Sequence, residues 1–211
     1  MRAAKTVFIV GAGASAEAGL PFGEMFLGEL SSKLNFQIRD GSLVPGFGDE
    51  DILDAIQQYA RDREGINGYL AAARRIREGP SFSKSIDTFL DAHRSDQRIQ
   101  LLGKLAIAKT ILEQEQSSCL SIPEGSRDFR DANEVTRSWY AELAKVLNDG
   151  ISRDRVNSIF SKVSFIVFNY DRCVEYYLEQ SIRRHYGLAD HEVYSVLKSR
   201  SEKLLSHMNR M

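Results

Sequence analysis

Val7-Phe8-Ile9-Val10-Gly11-Ala12-Gly13-Ala14-Ser15-Ala16-Glu17-Ala18-Gly19-Leu20-Pro21 places a strand, a glycine turn and a short helix one after another. Four consecutive apolar residues, Val7 to Val10, predict a strand buried on both faces. A glycine-alanine-glycine turn follows, then an alanine-rich segment able to form one or two helical turns. In that order the backbone presents unpaired N–H groups, and the helix start a partial positive charge, to a pyrophosphate. Gly11 and Gly13 lack a Cβ, so the chain is free to turn sharply and come close to a ligand. The spacing departs from the dinucleotide fingerprint G-x-G-x-x-G, because Ala16 stands at the third glycine and the next glycine is Gly19.

The chain has 211 residues, enough for one substantial domain or two small ones. Hydrophobic residues make up 43% and charged residues 27%, with a net charge of −1, a balance that points to neither nucleic acid nor an anionic membrane surface. No apolar run approaches the length of a membrane span, and Met1 to Thr6 leads into a first strand rather than a secretion signal. Two cysteines, Cys119 and Cys173, cannot build a four-thiolate zinc site, and no other metal-ligating pattern is present. Few cysteines and no leader make the cytoplasm the expected compartment.

From Phe22 to about Phe36 apolar residues recur at helical spacing. Residues 37–50, with Asp40-Gly41, Pro45, Gly46 and Gly48, read as a loop, either a plain connector or a flap near the ligand. Residues 51–116 read as helical, broken at Gly79-Pro80 and restarted at Ser85, a candidate cap. Arg74, Arg75 and Arg77 read as a solvated face. After a loop over 117–133, Trp139 to Val146 marks another amphipathic helix.

A second strand, Val163 to Phe168, ends in Asn169-Tyr170-Asp171-Arg172, and a helix runs on to Gly187. Two distant strands, each followed by a polar turn and a helix, predict parallel neighbours, and ligands of such sheets sit beyond the carboxyl ends of the strands. Gly11–Ser15 and Asn169–Asp171 are therefore expected to face one crevice. The expected fold is α/β, a Rossmann-like three-layer domain over 1–211 with a mainly parallel sheet and a large helical insertion at 50–150. Its sheet is expected to be incomplete, with an open edge and exposed apolar surface.

With both motifs in hand, the chain resembles SIR2-like proteins of the sirtuin superfamily. Val7 to Pro21 is similar to that family's NAD-binding loop, and Phe168-Asn169-Tyr170-Asp171 to its strand-end motif. The Asn-Tyr-Asp form and the missing zinc ribbon look more like the bacterial antiphage-defence members, which commonly hydrolyse NAD+, than like the lysine deacylases. The resemblance implies that Gly11, Ala12, Gly13 and Ser15 hold the pyrophosphate and adjoining ribose, with Pro21 closing the loop motif. It implies that Asn169 orients water or a ribose hydroxyl, as the catalytic residue, and that Asp171 bonds nicotinamide or fixes the Asn-bearing turn. Asn169 and Asp171 also read as caps of the following helix.

Three departures stand against this. Phe22-Gly23-Glu24 replaces the deacylases' Asp-Phe-Arg step. The family's base, a histidine before glycine on a strand, has only His185-Tyr186-Gly187 as a superficial counterpart, and that falls in a helix. The last stretch, Lys198 to Met211, reads as polar helix where that strand is expected. The expectation is an NAD+ hydrolase or part of one, stopping before its histidine. The alternatives are a non-catalytic module sensing NAD or ADP-ribose and, from another class, a Rossmann oxidoreductase using NAD or FAD. A second copy of the chain or a partner defence protein would complete the assembly.

Overall fold

The computed structural model describes residues 5–39, 42–44, 47–60 and 63–204. It is mostly helical, with a two-stranded parallel sheet, and divides into two compact units, one of residues 1–20 and 115–211, the other of residues 21–114.

In the first unit, β1 (Thr6–Val10) pairs in parallel with β4 (Val163–Val167), Phe8 beside Phe165 and Val10 beside Val167. The Phe8 and Phe165 rings stack at 5.3 Å. The ladder continues one bond further, from the Phe168 N–H to the Val10 carbonyl at 2.9 Å. Helices α6 (Ala132–Arg137), α7 (Trp139–Asn148), α8 (Cys173–Tyr186) and α9 (Asp190–Leu204) complete this unit. Its core gathers Val10, Leu20, Tyr140, Leu143, Tyr177 and Ile182, with Phe8, Phe165 and Val167 packed against it.

Only one face of the sheet is covered. Val7, Ile9 and Ile166 are exposed, Ile9 at 72%, and Phe168 just beyond β4 is 73% exposed. The expectation of a strand buried on both faces is thus corrected. Alternate side chains point to opposite faces, and among the described residues the helices pack on the Phe8/Phe165 side alone. An apolar run carries no signal that separates one covered face from two.

The second unit contains α1 (Gly23–Lys33), α2 (Glu50–Tyr59), α3 (Arg63–Glu78), α4 (Ile86–Ala92) and most of α5 (Gln97–Ser117). Leu30, Ile56, Ile76, Ile99 and Leu102 are fully buried at its centre. Ser85 caps α4 through the Thr88 N–H at 3.2 Å, as expected. Arg74 and Arg75 are exposed and pair with Glu78 and Asp96. Two short antiparallel strands, β2 (Ile38–Arg39) and β3 (Ser42–Leu43), stand where a plain loop was expected. Asp40, Gly41, Pro45 and Gly46 lie outside the described residues.

The helical unit comprises residues 21–114. Helix α7, expected in the insertion, buries Tyr140, Leu143 and Leu147 in the core of the sheet-bearing unit instead.

Candidate functional site

Beyond the carboxyl ends of β1 and β4 the two sequence motifs meet. Ala12–Ala18 forms a 3₁₀ helix directly after Gly11, and Gly19 closes it at φ 86°, a left-handed conformation that favours glycine. The Ser15 hydroxyl donates to Asp171 Oδ2 at 2.8 Å and accepts from Asn169 Nδ2 at 2.8 Å. Asp171 Oδ1 accepts the Cys173 N–H at 3.1 Å, so Asp171 caps α8 and holds Ser15 at once. One carboxylate thus anchors the Asp171 turn to Ser15 and bonds the first N–H of α8.

The motif residues divide by accessibility. Gly11, Ala12 and Gly13 are exposed, Asn169 is half-buried, and Ser15 and Asp171 are buried at 1% and 7%. The Ser15 hydroxyl is engaged in both directions by protein groups, donating to Asp171 and accepting from Asn169. Pro21 is half-buried and belongs to the other unit. Gly11 has φ −117° and Gly13 has no positive φ, so neither is glycine because the turn requires it. A Cβ added at either would meet nothing within 4 Å. The space on the Cβ side of both glycines is open.

Five residues whose part sequence reasoning missed hold this turn. Trp139 Nε1 and the Tyr140 hydroxyl both donate to the Ala14 carbonyl, at 2.7 and 3.1 Å. The Glu17 carboxylate accepts the Trp139 N–H at 2.7 Å. Ser118 and Cys119 donate to the Ala18 carbonyl from the loop after α5. The one available signal was that Trp139 is the chain's single tryptophan.

The start of α8 is acidic. Glu115 accepts the Arg172 N–H at 2.7 Å beside the Asp171 cap. Burial raises the Glu175 carboxyl, and the Asp171 and Glu115 carboxylates add to the shift. Burial also raises the Cys173 thiol and the Tyr140 phenol, the first reinforced by Asp171 and the second by Cys173. At the start of α8 the Arg172 and Cys173 N–H groups are taken by the Glu115 and Asp171 carboxylates.

His185 lies in the last turn of α8 and is exposed, about 18 Å along the helix axis from the Asp171 cap. No histidine bonds Ser15, Asn169 or Asp171 among the described residues. Among those residues no group of three or more His, Cys, Asp or Glu side chains is arranged to hold a metal ion, and no helix is long and apolar enough to cross a membrane. Comparison of the chain with protein-family models, with curated proteins and with solved structures gives no match.

Proposed function

We propose that this chain binds a nicotinamide dinucleotide at the exposed glycine turn and is an NAD+ hydrolase, or part of one, of the SIR2-like kind. The reading rests on one observation. Ser15 of the first motif and Asn169 of the second, 154 residues apart, are in hydrogen contact at 2.8 Å beyond the ends of paired parallel strands. In this account the turn at Gly11–Gly13 takes the pyrophosphate, and Asn169 stands by the nicotinamide ribose. Cleavage of the nicotinamide–ribose bond passes through an oxocarbenium-like state, which a fixed carbonyl dipole stabilises without reorganising. The fold that this reading implies is Rossmann-like and three-layered.

A second reading is a module that senses NAD or ADP-ribose without cleaving it. It is favoured by the position of His185 at the far end of α8 from the Asp171 cap. Tight binding alone gives no rate, since only interactions stronger in the transition state accelerate the step. The oxidoreductase alternative loses ground: it needs a strand with an acidic end soon after the glycine turn, and Gly23–Lys33 is helix α1.

Incubating the purified chain with NAD+ and following nicotinamide release, beside calorimetric titration with ADP-ribose, separates these. Release supports the hydrolase; binding without release supports the sensor; neither removes the dinucleotide from the account.

A further inference from the structure

We propose that Asp171 and Ser15 act as a positioning relay that sets the Asn169 amide with its carbonyl oxygen free to accept. The ligand group meeting Asn169 is then a donor, a hydroxyl or a water molecule, rather than a phosphate oxygen. The identity of the ligand rests on the dinucleotide reading above; the relay does not.

The hydrogens fix the direction of each bond. A carboxylate only accepts, and Asp171 spends Oδ1 on the Cys173 N–H and Oδ2 on Ser15. The one hydroxyl hydrogen of Ser15 is thereby committed to Asp171. What Ser15 has left is lone pairs, so the amide facing it at 2.8 Å must present its N–H, which is Nδ2. The other end of that amide, Oδ1, is shielded from solvent and has no hydrogen-bond partner. An acceptor in that position is unfavourable until a donor reaches it. A phosphate oxygen would bring lone pairs against lone pairs.

Ser15 touches no ligand in this scheme. It is buried at 1%, and its backbone is held through the Ala14 carbonyl by Trp139 and Tyr140. It acts through Asn169. Without its hydroxyl the amide has no reason to choose one face, and it turns to satisfy its own oxygen.

The test uses the ¹⁵N-labelled full chain, with the Asn169 side-chain amide signals identified by their loss in Asn169→Asp. In the wild type one Asn169 amide hydrogen should exchange with solvent about tenfold more slowly than in Ser15→Ala. Ser15→Thr, which keeps the hydroxyl, should restore the protection. Asp171→Asn, which still caps α8 but can donate to Ser15, should lose it, and decides the question if Ser15→Ala does not fold. Equal exchange in the wild type and in these variants would overturn the relay. Adding ADP-ribose tests the ligand separately. Shifts in the Gly11 and Gly13 signals together with the Asn169 amide support a donor at its carbonyl. Shifts in the glycines alone would overturn that clause. No shift anywhere, with protection intact, would sink the dinucleotide reading and leave the relay standing.

Discussion

The backbone N–H of Trp139 donates to the carboxylate of Glu17, 122 residues earlier in the chain, at 2.7 Å. The glycine turn's own helix thus caps α7, whose preceding Ser138 spends its hydroxyl on the Val135 carbonyl instead. A carboxylate at a helix start is favoured by both the open N–H groups and the helix dipole. Glu17→Ala should cost about 1 kcal/mol in urea unfolding, and Glu17→Gln, which keeps an acceptor, distinctly less.

The same clamp makes a prediction for Tyr140. Its hydroxyl shares the Ala14 carbonyl with Trp139, so Tyr140→Phe leaves that acceptor one partner. The loss should be about 1 kcal/mol. Trp139→Phe, which removes the shorter bond and part of the packing, should cost more.

Both cysteines are free thiols and buried. Burial raises the Cys119 and Cys173 thiols, so little reactive thiolate is present. Neither should react with an aromatic disulfide reagent at pH 8 in the native protein, and both should react once it is unfolded. Prompt labelling of Cys173 in the native state would contradict the packing around Asp171.

Glu175 carries a pH signature. Its carboxyl is raised from the ordinary 4.5, so above that value the folded protein holds a proton that the unfolded chain has released. With more protons bound in the native state, stability falls as pH rises through the folded value. Glu175→Gln should raise Tm at neutral pH and leave it nearly unchanged at pH 4, where the carboxyl is protonated in both states.

The sheet gives a contrast between neighbours. Ile9 is exposed at 72% and Val10 buried at 4%. Ile9→Thr should change stability by no more than about 0.5 kcal/mol, whereas Val10→Ala should cost about 2 kcal/mol.

What sequence could and could not foresee follows from the range of each interaction. The strand, turn and helix at Thr6–Ala18 and the strand at Val163–Val167 are local patterns, and they were legible, as was the capping by Ser85 and Asp171. The meeting of the motifs was foreseen from parallel-sheet logic. That Ser15 would be consumed by Asp171 was not, because nothing local marks a hydroxyl as satisfied from 156 residues away. The grouping of 21–114 into one unit has no mark in the sequence, because α7 and the helices of that unit carry the same amphipathic spacing. The Ile38–Arg39 and Ser42–Leu43 strands, two residues each, are too short for alternation to register.

Gly13 offers the most direct test of the dinucleotide site. It has no positive φ and nothing within 4 Å of where its Cβ would stand, so the protein itself does not require a glycine there. Within a helical turn Gly→Ala stabilises by about 0.5–1 kcal/mol. Calorimetric titration with ADP-ribose should give saturable binding to the wild type and at least about tenfold weaker binding to Gly13→Ala, with Tm equal or higher. Equal affinity in the two proteins, or no binding to the wild type, would contradict a dinucleotide resting on this turn.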